Sequence, residues 1–351
     1  MPAPESVCVM RLSAVGDVCH TLPVVRTLAS HWPETHITWI IGRLEASLIG
    51  DIAGIEFIIF DKAQGWRAHR QLHRQLAGRR FDLLLDMQVS LRASIASLNV
   101  RAPRRLGFDR ARARDFQWLF TNERIEPRAH EHVMDSLFGF ADALGIHDHE
   151  LRWDIPLSEA DRHFAADHIA DDMPTLLISP LSSPRLRNWR NWRLDRYAAV
   201  ADYAATCGLK VILTGGPSAA ERAAGEAIAA RCHSAPVNLV GRTSLKQLFA
   251  LIARARVIIS PDSGPAHMAT AAGTPAIGLY ATSNPDRTGP YLSRHWVVNR
   301  YPEALQKFDH TTPEQARWGQ RVRHPEAMEL IQVEDVTAML ERVLEEPDSG
   351  F

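Results

Sequence analysis

Short apolar, β-branched runs alternate along this chain with longer segments whose apolar positions recur at helical spacing. The strand-like runs cover residues 6–12, 36–41, 56–60 and 82–86 in the first half, then 175–179, 210–214, 237–240, 256–260 and 276–280 in the second. Amphipathic stretches at 24–31, 219–231 and 245–253 read as helices between them. Strands alternating with helices predict parallel sheets covered on both faces, because each crossover has to return over the sheet. The expected fold class is α/β, with two Rossmann-like, doubly wound parallel-sheet domains. A ligand cleft is expected at the carboxyl ends of the strands, between the two domains.

The alternation weakens across residues 145–173, where Asp148, His149, Pro156 and the run Asp171-Asp172-Met173-Pro174 cluster. At 351 residues the chain exceeds one ordinary core, so two domains are expected. Their boundaries are set at 1–165 and 166–332. Residues 333–351 are read as a terminal helix and tail that packs across the domains.

Charge and cysteine content narrow the class. The formal net charge is −1, so nothing global argues for nucleic acid, and attraction to an anionic surface has to come from local clusters. Cys8, Cys19, Cys207 and Cys232 form neither a CxxC pair nor a zinc spacing, which suits reduced thiols. The N-terminus lacks a basic region followed by an apolar run, and no apolar stretch is long enough to span a bilayer. A cytoplasmic location is expected.

Four loops carry candidate chemistry. Pro261-Asp262-Ser263-Gly264-Pro265-Ala266-His267 follows a strand and opens a small-residue helix, where a phosphate can meet backbone N–H groups and the positive end of the helix dipole. Asp262 suits a sugar hydroxyl, and His267 lies about one turn into the helix. The bland reading has Asp262 or Ser263 simply capping the helix, a contribution of about 1 kcal/mol. A second loop, from Pro180 to Trp189, holds Ser182, Ser183, Arg185 and Arg187; two hydroxyls and two guanidinium forks suit a pyrophosphate, or form a solvated basic loop. Trp189 and Trp192 fit packing better than base stacking. In the third loop Ser218 and Glu221 match a capping box, although a carboxylate there also suits a ribose diol.

The fourth loop is Ser13-Ala-Val-Gly16-Asp17-Val-Cys-His20-Thr21-Leu-Pro23. It lacks GxGxxG, which argues against a dehydrogenase. Asp17 is placed in a tight loop, free to take the proton of an incoming hydroxyl or to cap a helix. Pro23 fits best in a first helical turn, so the helix is expected to begin near Thr21. None of the 22 aspartates lies two residues from another, so a DxD metal-binding pair is missing and no metal or cofactor is expected. Residues 101–114 hold six arginines, Arg101, Arg104, Arg105, Arg110, Arg112 and Arg114, which suits an anionic acceptor, an anionic membrane surface or a solvated face.

Together these loops resemble the family 9 glycosyltransferases, the ADP-heptose:lipopolysaccharide heptosyltransferases of Gram-negative bacteria. Residues 10–23 look like the family's N-terminal signature, and 262–267 with Gly273-Thr-Pro275 and Leu279-Tyr-Ala-Thr-Ser-Asn-Pro285 look like its C-terminal one. The resemblance implies a GT-B fold and an inverting, metal-free transfer with Asp17 as general base. By the same resemblance Ser182, Ser183 and Arg187 hold the ADP phosphates and Glu221 the ribose. Asp262, Ser263, Gly264 and His267 serve the heptose and phosphate region. Arg110, Arg112, Arg114, Gln88 and Arg92 face the acceptor. Arg187 stands where relatives commonly have lysine, Ser263 where threonine is frequent, and residues 87–92 depart from the commoner glutamine-glycine version.

The resemblance further implies an ADP-heptose donor and a Kdo-lipid A acceptor, with peripheral contact at the cytoplasmic face of the inner membrane. A heptosyltransferase I-like role comes first, and an enzyme preferring phosphorylated Kdo second. The alternatives are a GT-B transferase or epimerase using a UDP-linked sugar, and a non-catalytic nucleotide-sugar binder.

Overall fold

The computed structural model describes residues 2–182 and 188–346, in two compact units, Met1–Pro156 and Leu157–Phe351. The first unit runs β1 (Ser6–Met10), α1 (Val15–His31), β2 (His36–Gly42), α2 (Arg43–Ile49), β3 (Ile55–Phe60), α3 (Trp66–Gln75), β4 (Leu83–Asp86), α4 (Leu91–Ser97), β5 (Arg104–Gly107), β6 (Glu123–Arg124) and α5 (Val133–Asp142). The second runs α6 (Glu159–His168), β7 (Thr175–Ile178), α7 (Leu194–Thr206), β8 (Lys210–Leu213), α8 (Ala219–Ala229), β9 (Val237–Asn238), α9 (Leu245–Arg254), β10 (Val257–Pro261), α10 (Gly264–Ala272), β11 (Ala276–Tyr280), α11 (Pro285–Thr288), β12 (Val297–Asn299), α12 (Tyr301–Asp309) and α13 (Val333–Glu345).

Each unit holds a six-stranded sheet, and the paired strands are parallel throughout. The orders are β3-β2-β1-β4-β5-β6 and β12-β11-β10-β7-β8-β9. With β7 counted as the first strand of its unit, both sheets have the doubly wound order 3-2-1-4-5-6. The central strands read as unbroken apolar runs because helices cover both faces: Val7–Met10 and Val257–Ile259 are fully buried.

The chain divides after Pro156, earlier than residue 165, because α6 packs on α9 of the second unit. Within that unit α13 lies against α7 and β12. Its start is held by Arg300 on Asp335 at 2.6 Å, and Arg256 donates to the Val343 carbonyl at 2.9 Å.

Three strands have no strong signature in the chain. β5 is Arg104-Arg-Leu-Gly107, β6 has two residues and β12 three; each takes its place by pairing with a neighbouring strand.

The first helix also departs from expectation. α1 starts at Val15, well before Thr21, and carries Pro23 in its interior. Proline has no N–H to offer the Cys19 carbonyl four residues back. The indole Nε1–H of Trp153 donates to that carbonyl instead, at 2.7 Å. The proline is tolerated because a side chain 134 residues away replaces the lost donor.

Candidate functional site

In a sheet of this order the crossovers reverse direction between strands 1 and 4, which opens a crevice outside their carboxyl ends. The first unit's switch point lies between β1 and β4. Arg11 follows β1 and donates to the Met87 carbonyl beyond β4. Gln88 returns the contact: its Oε1 accepts from the Leu12 and Ser13 N–H groups at 2.6 and 3.1 Å, and its Nε2 donates to Ser13 Oγ at 3.2 Å.

Asp17 belongs to the first turn of α1, not to a free loop. Its Oδ2 accepts from the Ala14 N–H at 2.9 Å and its Oδ1 lies 2.7 Å from Arg11 Nη2. The side chain is still 42% exposed. A carboxylate offers about four lone-pair sites, so these contacts fix its direction without exhausting its capacity to accept a proton. Capping contacts and an exposed carboxylate thus coexist in this residue.

Beside this loop lies a cavity of about 210 Å³ whose lining includes Ser13, Glu45, Lys62, Gln88, Ser90 and Arg92. It joins Gln88 and Arg92 and adds Lys62, which single-residue reading of the sequence passed over. Burial raises the Glu45 carboxyl above the usual carboxylate range.

The arginine-rich segment separates into two kinds of residue. Arg104 pairs with Glu123 at 2.7 Å, and Arg105 donates to the Phe120, Val100 and Ser97 carbonyls. Arg112 spends its guanidinium on Asp109, Glu131, Ser136 and the Glu126 carbonyl. These three hold the unit together, whereas Arg101, Arg110 and Arg114 are exposed.

In the second unit the switch point lies between β7 and β10, whose loops are Pro180–Ser182 and Asp262-Ser263. Ser182 is buried; its hydroxyl donates to Asn191 Oδ1 at 2.8 Å and accepts from Asn188 Nδ2 at 2.7 Å. Ser183 and Arg187, along with Arg185, lie outside the described residues.

Ser263 fills the N-cap place of α10, but its hydroxyl pairs with Ser260 Oγ at 2.7 Å and makes no capping bond to the first turn. The alternative in which Ser263 serves as the cap is thereby corrected. Asp262 is only 6% exposed, and its Oδ2 accepts from Ser283 at 3.0 Å. Arg190 Nη1 donates to the Asp262 carbonyl at 2.7 Å and lies 3.9 Å from its carboxylate; Arg321 Nη2 approaches the same oxygen at 3.9 Å. Two guanidiniums thus approach one carboxylate beside the positive end of a helix, a place where an anion is favoured. Arg190 and Arg321 are far from Asp262 in sequence and lie outside the motif loops, whereas Ser283 belongs to the 279–285 stretch. His267 is buried one turn into α10.

Glu221 closes its own loop. Its Oε1 accepts from the Gly216 N–H at 2.8 Å, while Ser218 Oγ donates to Oε2 at 2.5 Å and accepts from the Glu221 N–H at 3.2 Å. A Cβ on Gly216 would sit 2.9 Å from that carboxylate, which would have to shift to make room. Trp192 is core, donating to the Ile331 carbonyl at 3.0 Å.

Two doubly wound sheets, each gathering polar and charged side chains at its switch point, define a two-unit α/β protein. The chain belongs to glycosyltransferase family 9 (heptosyltransferase), whose model matches residues 69–317. It is a glycosyltransferase. It is 42% identical over 97% of both chains to the lipopolysaccharide core heptosyltransferase OpsX of Haemophilus influenzae. The solved family 9 glycosyltransferase of Veillonella parvula superposes with a TM-score of 0.78 at 23% identity over 98% of both chains. The ADP-heptose lipopolysaccharide heptosyltransferase II of Escherichia coli gives 0.71 at 20% identity, over 97% of this chain and 98% of the other. These two likenesses establish the GT-B-like fold. Membership in a transferase family favours group transfer over epimerisation or binding alone.

Proposed function

We propose that the protein is an inverting, metal-independent enzyme that moves heptose from ADP-L-glycero-D-manno-heptose to a Kdo residue of the lipopolysaccharide inner core. The Haemophilus relative is named for the lipopolysaccharide core and the Escherichia coli neighbour for ADP-heptose, and both names support this choice of substrates. The donor side rests on one observation above all: Arg190 and Arg321 converge on Asp262 just before the start of α10.

On this reading the first unit binds the acceptor and the second the ADP-sugar. Asp17 takes the proton of the acceptor hydroxyl as that oxygen bonds to the anomeric carbon. The bond from this carbon to the β-phosphate oxygen breaks on the opposite side, so the configuration inverts. The departing ADP is stabilised by Arg190, Arg321, the N–H groups of Ser263 and Gly264, and Arg187, which is cationic chemistry in place of a metal. Ser182 and Ser183 shape the phosphate loop, Glu221 serves the ribose, and Asp262 and His267 orient the heptose. Gln88 holds the Asp17 loop, while Arg92, Arg110 and Arg114 meet the acid groups of the acceptor. Arg112 acts by fixing the segment that carries Arg110 and Arg114. The enzyme works in the cytoplasm, peripherally on the inner membrane.

The test is incubation with ADP-heptose and heptose-free lipopolysaccharide, with and without phosphate on the Kdo and with a chelator in parallel, read by mass spectrometry. Addition of one heptose in the presence of chelator is expected, and the preferred acceptor identifies the role. No product, with ADP-heptose intact and a UDP-sugar bound instead, sinks the assignment.

A further inference from the structure

The segment between β5 and β6, residues 108–122, holds a backbone conformation rare for its side chains. Asp115 and Phe116 are consecutive non-glycine residues at φ 52° and 60°, in the left-handed region. A bulky residue keeps such a conformation only where its surroundings over-determine it. Phe116 is exposed, so little of the restraint comes from its own packing. The restraint comes from either side of the pair. The Leu91 N–H donates to Asp115 Oδ2 at 3.4 Å, and the residue after Phe116, Gln117, is fully buried.

Gln117 uses both ends of its amide. Nε2 donates to the Asp86 carbonyl at 2.8 Å and to the Gln88 carbonyl at 3.4 Å, while Oε1 accepts from the Phe108 N–H at 3.4 Å. Carbonyls only accept and an N–H only donates, so these partners fix the orientation of the amide. The carbonyl between the first two, that of Met87, is taken by Arg11, whose guanidinium also contacts Asp17. Three successive carbonyls at the end of β4 are thus gripped from two directions, by Gln117 and by Arg11. The side chain of Gln88, at the end of this turn, holds the Leu12 and Ser13 N–H groups. A buried amide bonded to so short a turn is a stiff link, because breaking it strands polar groups away from water. On its other side Gln117 closes the loop that exposes Arg110 and Arg114: its N–H donates to the Arg114 carbonyl at 3.1 Å. The start of that loop is tied by Asp109, which accepts from the Ala111 N–H at 2.9 Å and pairs with Arg112.

We infer that Gln117 is a positioning residue that couples the loop carrying Arg110 and Arg114 to the direction of Asp17, through the turn that ends β4. The inference rests on the proposed function, in which these arginines meet the acceptor and Asp17 takes its proton. The attacked hydroxyl and the acid groups belong to one acceptor molecule, so the arginines and the base have to keep a fixed separation. Gln117 supplies that fixed reference: it holds the arginine loop to the same carbonyls on which the Arg11–Asp17 pair is anchored.

The test combines amide hydrogen exchange of the full chain with steady-state kinetics. In the wild-type chain, residues 11–17 and 108–118 should lose protection together as urea is raised below the unfolding midpoint; openings at clearly different urea concentrations overturn the inference. Gln117→Met fills the same space without a donor, and Gln117→Asn is a milder variant that keeps an amide but shortens its reach. Either should speed exchange about tenfold in both segments, and acceleration confined to residues 108–118 overturns the inference. In transfer assays the acceptor KM should rise about tenfold and kcat fall about fivefold, with donor KM and ADP affinity unchanged. A merely structural residue would lower the amount of active enzyme, and so apparent kcat alone, leaving acceptor KM as it was. Arg110→Ala/Arg114→Ala should lose most of its effect on acceptor KM in the Gln117→Met background, whereas independent effects there count against the coupling. Exchange needs neither donor nor acceptor, so a wild-type chain that transfers no heptose would sink the proposed function and leave the exchange result standing.

Discussion

Arg11 Nη2 lies 2.7 Å from Asp17 Oδ1, while another nitrogen of the same guanidinium binds the Met87 carbonyl across the first switch point. The carboxylate proposed to take the acceptor proton is thus aimed by a cation that is itself anchored just beyond the end of β4. Replacing Asp17 with asparagine should lower turnover on the order of 100-fold or more, with donor affinity largely kept. Arg11→Gln keeps the base but frees its direction, so kcat should fall by about tenfold while donor KM stays nearly constant. Near wild-type turnover in Asp17→Asn would reduce this residue to a helix cap.

The second switch point predicts a separation between binding and stability. Arg321→Gln removes a partly exposed guanidinium, and ADP affinity measured by calorimetry should weaken about tenfold with little change in unfolding. Asp262→Ala removes the buried carboxylate that both Arg190 and Arg321 approach. It should cost about 3 kcal/mol in urea unfolding, part of which ADP restores. Unchanged ADP affinity in Arg321→Gln would remove that residue from the donor site.

The Pro23 position predicts a rescue. Trp153→Phe leaves the buried Cys19 carbonyl without its 2.7 Å donor and should destabilise the first unit by about 1–3 kcal/mol. Adding Pro23→Ala supplies a backbone N–H to that carbonyl and should recover a large part of the loss. Additive effects in the double variant would show that the two residues are not coupled.

Asp86 predicts a pH dependence. Its carboxyl is fully buried, and burial pushes its pKa up to about 7, against the opposing pull of Gln117, the Gln88 N–H, Arg105 and Arg11. A raised folded-state pKa means that the folded chain keeps a proton that the unfolded chain has released. The stability tied to that proton is fully present below about pH 4, the unfolded value, and is lost as pH rises to about 7, a few kcal/mol in all. Asp86→Asn should therefore gain most over the wild type near pH 8 and flatten the profile of urea midpoints between pH 5 and pH 8. An unchanged slope would show that another group governs it.

Much of the fold was legible in the chain because parallel strands buried on both faces leave apolar runs such as Val7–Met10 and Val257–Ile259. The Asp17 and Asp262 loops were legible too as loops, since glycine, proline and small side chains gather after the ends of β1 and β10. β5 and β6 were not, because their pairing comes from the neighbouring sheet and not from their own composition. Charge density alone could not separate the six arginines of residues 101–114, of which Arg104, Arg105 and Arg112 answer to carboxylates and carbonyls close in space.

The sequence by itself determined two α/β halves, their motif loops and the family they resemble, because these depend on local pattern. Tertiary structure decided which side chains meet. The reversal of strand order sets β1 against β4 and β7 against β10, so Gln88 reaches Ser13 across 75 residues and Arg190 reaches Asp262 across 72. No local periodicity records such contacts, since they arise only when distant strand ends are placed side by side.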